Sequence, residues 1–208
     1  MMPPWLDDTV LVVIDAQRAF VDPAGSVART FGAADFQPGV AALDRLRGVL
    51  AGRRPPAIFV RSEFQPGQFT EGDLSHGMAF VCVPGHGIDC EWAAGIAVAT
   101  HDVVVTKHQA DAAESAPFRT AIDQAITGGI TRIAIVGFQF TTCVVASATS
   151  TVDLVRARGI GVSVIEPLTG SRVTSYLPGP SGLSRVDVTR RQLEAAGVEL
   201  ITTVDWTS

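Results

Sequence analysis

Three side chains that could act together on a carbonyl compound stand at or just beyond the ends of apolar runs. Asp15 ends the run TVLVVID, Lys107 ends DVVVTK, and Cys143 follows shortly after RIAIVG. A thiolate is a strong nucleophile, a neighbouring carboxylate can accept the thiol proton, and a cation favours the ionised sulfur. The three residue types together predict covalent catalysis, with Cys143 as the nucleophile and Asp15 as the base.

Each residue alone also has an ordinary structural interpretation. Asp15 could cap a turn, Lys107 could be a solvated strand-end lysine, and Cys143 could be a small buried hydrophobic residue. The combination favours catalysis, because a carboxylate in the apolar run LVVID is costly to bury unless it is paired. Lys107 is the natural partner, and buried charge pairs beside a thiol are typical of active sites. A thiol at the start of a helix further predicts a lowered pKa for Cys143.

The elements that must position these residues follow from hydrophobic patterning. Six short apolar runs, rich in Val and Ile, cover residues 9–15, 57–61, 102–107, 132–137, 162–166 and 198–203. Such runs are typical of parallel strands buried on both faces. Helical patterns lie between them, at 39–52, 117–126, 142–157 and 184–196. The alternation predicts an α/β fold of three layers, α/β/α, with a doubly wound six-stranded parallel sheet in a single domain over residues 1–208.

This topology predicts where the chemistry sits. Ligands of open parallel sheets bind at the carboxyl ends of the strands, so strand ends alone place the three side chains at one edge. Two stretches, 62–101 and 167–183, are rich in Gly and Pro and predict long loops, which could be binding loops or tolerated surface insertions. A nucleotide- or flavin-binding domain is disfavoured, because DAQRAFVDPAG and not Gly-x-Gly-x-x-Gly follows the first strand.

Composition limits the partners and the compartment. The 208 residues carry a net charge of −5, which disfavours nucleic acid as a partner. No apolar run reaches the roughly 18 residues of a membrane span, and MMPPWLDD lacks the pattern of a secretory signal. Three cysteines, Cys82, Cys90 and Cys143, are an odd number and favour the reducing cytoplasm over a disulfide framework. We therefore expect a cytoplasmic protein that acts on a small molecule.

Three blocks of sequence resemble a known enzyme family. The blocks are VLVVIDAQRAF, VVVTKHQADAAESAPFRT and IAIVGFQFTTCVVASATSTVDL. Their order and spacing are similar to the motif blocks of the isochorismatase-like cysteine hydrolases, which include nicotinamidases, N-carbamoylsarcosine amidohydrolases, ureidoacrylate hydrolases and isochorismatases. The resemblance covers about residues 9–166, with a weaker similarity in SRVDVTRRQLEAAGVELITT.

The resemblance implies a mechanism and a set of site residues. It implies a catalytic triad of Asp15, Lys107 and Cys143 that forms a thioester acyl-enzyme with an amide or imide-like carbonyl. It also implies a cis peptide bond between Phe138 and Gln139, and an oxyanion hole made by the backbone N–H groups of Thr142 and Cys143. We expect the substrate to contact five further side chains, those of Gln17, Phe20, Phe138, Gln139 and Phe140. Cys82 and Cys90 are not expected to be needed for turnover.

Departures from the family pattern bear on metals and substrate. Nicotinamidases carry an Asp-x-His metal motif where this chain reads RSEFQPG, with Glu63 and no histidine two residues on. The four histidines, His76, His86, His101 and His108, also lack clustered ligand spacing. We therefore expect no metal and no other cofactor. Arg18-Ala19 and Glu166-Pro167 replace common family pairs, which leaves the substrate open.

The leading interpretation is a cofactor-free amidohydrolase that cleaves a C–N bond of a small amide or a carbamoyl or ureido compound. A first alternative is a vinyl-ether hydrolase of the isochorismatase type, in which Asp15 protonates the enol ether and no thiol is required. A second alternative is a non-catalytic family member that serves as a binding module. The resemblance further implies a homodimer or homotetramer.

Overall fold

The protein contains a six-stranded, fully parallel sheet. The computed structural model describes residues 8–52, 56–68 and 78–204. The strands are β1 Thr9–Ile14, β2 Ala57–Ser62, β3 Val103–Lys107, β4 Arg132–Phe138, β5 Gly161–Gly170 and β6 Glu199–Ile201. Their order across the sheet is β3-β2-β1-β4-β5-β6, and every neighbouring pair is parallel. The predicted doubly wound sheet is confirmed.

Helices cover both faces of the sheet. They are α1 Arg18–Val21, α2 Ser26–Phe31, α3 Gln37–Gly52, α4 Ala116–Thr127, α5 Val145–Val155 and α6 Arg185–Ala196. The four longer helices lie where the hydrophobic pattern predicts them. The sequence analysis did not predict α1 and α2, because helices of 4 and 6 residues are too short to show a 3.6-residue period.

Alternating side chains of the central strand β1 pack into two separate hydrophobic cores, one on each face of the sheet. Leu11 and Val13 pack with the side chains of α1, α2 and α3 on one face. Val10, Val12 and Ile14 pack with α4, α5 and α6 on the other. Burial on both faces explains why the strands read as continuous apolar runs and not as alternating ones. No helix in the described part of the chain is long and apolar enough to cross a membrane.

The two predicted loops differ from each other. The first, between β2 and β3, forms no strand or α-helix in its described residues; residues 69–77, including His76, lie outside the described part. The second is only partly a loop, because β5 continues to Gly170 and Val173–Tyr176 forms a 3₁₀ turn. A register shift opposite Ile135–Gly137 accommodates Pro167, after which β5 pairs with β4 again at Thr169.

Candidate active site

The carboxyl ends of β1, β2 and β3 bring together three buried polar side chains. Asp15 follows β1 directly, while Ser62 and Lys107 end β2 and β3 and are partners in the parallel register. Lys107 Nζ lies 2.9 Å from Asp15 Oδ2 and donates to Ser62 Oγ at 2.7 Å. Ser62 Oγ in turn donates to Asp15 Oδ1 at 2.9 Å. The predicted Asp15–Lys107 pair therefore exists, and Ser62 completes it as a third member.

Contacts around the pair fix the charge of Lys107. Besides Asp15 and Ser62, its ammonium donates to the carbonyl of Gln109 at 3.0 Å, so its three protons face three oxygen acceptors. Burial on its own would lower the pKa of Lys107, but attraction to Asp15 and Cys143 outweighs burial and raises it. Lys107 is therefore cationic at neutral pH and balances one negative charge in the site.

The two carboxylate oxygens of Asp15 are not equivalent. Oδ1 accepts the Ser62 hydroxyl proton, whereas Oδ2 is buried and lies 2.9 Å from the Lys107 ammonium. A carboxylate oxygen has two lone pairs, so one of them can accept a proton while the other faces the ammonium. Asp15 Oδ2 is therefore the atom best suited to act as a base.

Cys143 lies in a π-helical turn, Phe140–Val144, that leads directly into α5. Burial and, to a smaller extent, the Asp15 carboxylate raise the pKa of its thiol to about 12, although the Lys107 ammonium opposes both effects. The predicted lowering of this pKa is wrong, because desolvation and a neighbouring anion outweigh the helix terminus and the lysine. The resting site therefore holds a neutral thiol beside an ion pair.

Gly137 allows β4 to pass close to the catalytic end of β1. Its φ is +113°, and a Cβ at this position would lie 2.0 Å from the carbonyl oxygen of Ile14. The next peptide bond, between Phe138 and Gln139, is cis, as predicted. Only glycine combines this positive φ with so close an approach to a neighbouring backbone.

The predicted oxyanion-hole donors lie in the same turn as the thiol. Thr142 and Cys143 both line the cavity described below. The N–H of Thr142 donates to the carbonyl of Gln139 at 3.1 Å, and the N–H of Val144 donates to the same carbonyl. A substrate oxygen at Thr142 would thus compete with Gln139 for this donor, and the oxyanion assignment stays a prediction.

A cavity of about 310 Å³ opens onto Cys143. This volume is at the lower end of the range for ligand pockets, roughly 300–1,000 Å³, and suits a small molecule. Its walls are mainly apolar, from Phe20, Val27, Phe31, Phe64, Met78, Val81 and Ala110. Its polar lining comprises Gln139, Thr141, Thr142, Cys143, Arg172, Ser175 and Arg185. Among the predicted substrate contacts, Phe20 and Gln139 therefore lie where a ligand could touch them.

The other three predicted substrate contacts, Gln17, Phe138 and Phe140, do not line this cavity. Phe138 packs into the core beneath α1–α3, and Phe140 packs into the core on the opposite face. The side-chain amide of Gln17 accepts from the Ser62 N–H at 2.6 Å and donates to the Ser62 carbonyl at 3.0 Å. The expectation for these residues needs correction, because the core or the backbone already occupies their side chains. Gln17 instead holds the end of β2 in place.

Sequence reasoning missed Ser62, Arg172 and Arg185. Ser62 carried a weak signal, since it is the polar last residue of a buried strand. Arg172 lies just after β5 and Arg185 is the first residue of α6, and neither belongs to a recognisable pattern. Their place in the cavity depends on how the chain folds back over the sheet.

Two further expectations concern metals and the other thiols. Within the described ranges, no group of three or more His, Cys, Asp or Glu side chains is placed to hold a metal ion. Glu63, at the family's metal position, forms an ion pair with Arg61 at 2.7 Å. Cys82 and Cys90 do not line the cavity, and burial raises the pKa of both thiols. Cys143, the predicted reactive thiol, lines the cavity and interacts with the Asp15 side chain through a hydrogen bond.

Comparison with known proteins places the chain in a family. The sequence pattern of the Isochorismatase domain matches residues 9–175, which is most of the chain. The chain therefore belongs to the isochorismatase family, and the prediction of an isochorismatase-like hydrolase is confirmed. Among the curated proteins, none matches this chain.

Solved structures share the fold at low sequence identity. An isochorismatase family protein from Desulfovibrio vulgaris subsp. vulgaris str. Hildenborough has a TM-score of 0.67 and 19% identity, covering 93% of each chain. A nicotinamidase/pyrazinamidase from Acinetobacter baumanii has a TM-score of 0.65 and 17% identity, covering 97% of this chain and 98% of that one. A cysteine hydrolase from Pseudomonas syringae pv. phaseolicola 1448A has a TM-score of 0.55 and 20% identity, covering 96% of this chain and 89% of that one.

Proposed function

We propose that this hydrolase is a cysteine amidohydrolase that cleaves a C–N bond of a small amide or of a carbamoyl or ureido compound. The observation that carries the proposal is the buried Asp15–Lys107 pair beside the Cys143 thiol that lines the cavity. A buried ion pair rarely adds stability over an apolar core, so its position next to a nucleophile favours a catalytic role.

The raised pKa of Cys143 makes a general base necessary. With a thiol pKa of about 12, thiolate is scarce at neutral pH, and deprotonation must accompany attack on the substrate. Asp15 Oδ2 takes the thiol proton while Sγ forms a bond to the carbonyl carbon. The C–N bond then breaks, and Asp15 returns the proton to the departing amine, which leaves a thioester on Cys143.

Water completes the cycle. Asp15 accepts a proton from water, the hydroxyl oxygen bonds to the thioester carbonyl carbon, and the C–S bond breaks. The proton returns to sulfur, the acid product leaves, and the neutral thiol is restored. Throughout, Lys107 supplies a fixed positive charge at 2.9 Å from Asp15, which stabilises the carboxylate between proton transfers.

Ammonia release tests the proposal. Purified protein is assayed against a panel of primary amides and ureido compounds, alongside Cys143→Ala and the matched control Cys90→Ala. We expect turnover by wild type and by Cys90→Ala, because Cys90 does not line the cavity, and none by Cys143→Ala. Near-native ammonia release by Cys143→Ala would overturn the nucleophile assignment.

An enol ether added to this panel separates the alternatives. A vinyl-ether hydrolase would act on an enol ether and keep its activity in Cys143→Ala, because Asp15 alone would carry the chemistry. A non-catalytic binding module would bind a panel member, in a direct binding measurement, without turning it over.

A further inference from the structure

The charged side chains in the cavity lining are both cationic. Arg172 and Arg185 line the cavity, whereas no carboxylate among the described residues does so. Cys143 is 6% exposed whereas Arg185 is exposed, so the thiol belongs to a buried part of the lining and the arginine to a solvent-exposed part. The cavity therefore combines cationic side chains and apolar walls with the nucleophile.

Arg172 is held in a fixed orientation. Its guanidinium carbon lies 3.7 Å from the centre of the Phe31 ring, and its Nε lies 3.3 Å from Asp35 Oδ2. Asp35 is itself fixed, because its Oδ1 accepts from the Thr174 N–H at 2.8 Å. Stacking on Phe31 and the ion pair with Asp35 hold the guanidinium plane in place, which lowers the entropic cost of binding a ligand there.

Arg185 has a fixed backbone position and no charged partner among the described residues. A capping box between Ser184 and Asp187 sets the start of α6, where Arg185 is the first residue. Asp187 pairs with Arg190 and not with Arg185. No described residue forms an ion pair or hydrogen bond with the Arg185 guanidinium, and among the described residues Asp35 pairs with Arg172 alone, so the two arginines share one carboxylate there.

We infer that Arg172 and Arg185 bind a carboxylate on the end of the substrate remote from the bond that is cleaved. This inference rests on the proposed function and names its substrate class: amides or ureido compounds with an apolar middle and a carboxylate end. Guanidinium groups bind carboxylates through paired, charge-assisted hydrogen bonds. Phe31, Phe64 and Val81 offer an apolar surface to the middle of such a molecule.

Alkylation of Cys143 tests the inference without any need for turnover. The two reagents are para-(bromomethyl)benzoate and its neutral methyl ester, which carry the same reactive group on the same ring. We expect wild-type Cys143 to react faster with the anion, and we expect the anion-to-ester rate ratio to fall about tenfold in Arg185→Gln. Arg185→Gln breaks no hydrogen bond or ion pair among the described residues, and an unchanged melting temperature of the variant shows that folding does not confound the measurement.

Arg191→Gln is the matched control. Arg191 is an exposed arginine of the same helix that does not line the cavity, so this variant should keep the wild-type ratio. A wild-type ratio near one, or an equal fall in Arg185→Gln and Arg191→Gln, would overturn the inference. Mass mapping of the alkylated peptide establishes that Cys143 is the residue modified.

A second arm separates this inference from the proposed function. Ammonia release is measured from para-carbamoylbenzoate and from its methyl ester. A higher kcat/KM for the anion, with a ratio that falls in Arg185→Gln, supports both. A preference for the anion in alkylation, without ammonia release from any amide, retains the carboxylate site and rejects the amidohydrolase. Ammonia release without preference for the anion rejects the carboxylate site and retains the amidohydrolase.

Discussion

The Ser62 hydroxyl donates a hydrogen bond to Asp15 Oδ1 at 2.9 Å, which leaves the other carboxylate oxygen to face Lys107. The same hydroxyl accepts from Lys107 Nζ at 2.7 Å. Ser62 therefore fixes how the carboxylate is turned, and we regard it as a positioning residue of the site.

Ser62→Ala should lower kcat by about an order of magnitude or more, because Asp15 would lose the contact that orients it. It should also lower the free energy of unfolding by about 1–3 kcal/mol, because a buried ammonium loses one acceptor. Ser163→Ala is the control. It removes a buried hydroxyl of β5 that donates to the backbone carbonyl of Ile133 at 3.4 Å, and β5 does not adjoin the strands that carry Asp15, Ser62 and Lys107. Equal effects of the two variants on kcat would contradict the positioning role.

The raised thiol pKa predicts how Cys143 responds to pH. Thiolate carries the reaction with iodoacetamide, and a thiol with a pKa of about 12 gains thiolate continuously as pH rises toward that value. The rate of labelling should therefore rise with pH, by up to about tenfold per unit, without a plateau between pH 6 and 9. Mass mapping over this range should find Cys143 labelled before Cys82, which is fully buried and does not line the cavity. A plateau below pH 8 would show a low-pKa thiol instead.

Lys107→Met separates the stability of the ion pair from its catalytic use. The single variant leaves a buried carboxylate without its cation and should cost about 3–5 kcal/mol in the free energy of unfolding. The double variant Asp15→Asn with Lys107→Met removes both charges and should recover a large part of that loss. Both proteins should be inactive in the ammonia assay. Equal urea midpoints for the single and double variants would mean that the pair is not electrostatically coupled.

Gly137→Ala should unfold more easily than a glycine substitution elsewhere with similar backbone geometry. Gly129 provides the comparison, since its φ is +97° and a Cβ there would meet nothing within 4 Å. Gly129→Ala should cost about 1 kcal/mol for the unfavourable φ. Gly137→Ala adds a collision with the Ile14 carbonyl and should cost several times more. Thermal unfolding of both variants gives the comparison, and similar melting temperatures would contradict it.

The contact between Asp15 and Lys107 could be predicted from sequence because both residues lie at strand ends. Asp15 and Lys107 are in contact because β1, β2 and β3 are adjacent and parallel, and the apolar runs already show those strands. The pKa of Cys143 could not be predicted in the same way. A helix terminus is visible in sequence, but the degree of burial and the approach of Asp15 depend on tertiary packing.

The cavity walls were harder to predict for a related reason. Phe138 and Phe140 shortly precede the nucleophile in sequence, but their side chains pack into the two opposite cores. Arg172 and Arg185 are far from the nucleophile in sequence, and they line the cavity from the segment after β5 and from the start of α6. Proximity in sequence is therefore a poor guide to the residues that a ligand touches.

The hydrogen bonds of Gln17 reach beyond the end of β2, because its amide also donates to the carbonyl of Cys90 at 3.3 Å. Next to it, the Ala93 N–H donates to the backbone carbonyl of Ala16 at 2.9 Å, and the Arg18 N–H donates to the backbone carbonyl of Glu91 at 2.8 Å. These hydrogen bonds thus join the returning end of the long β2–β3 segment to the chain directly after Asp15. Met78 and Val81 take no part in these hydrogen bonds, so directed evolution could change the cavity wall at these two residues while the bonds that hold the chain after Asp15 stay intact.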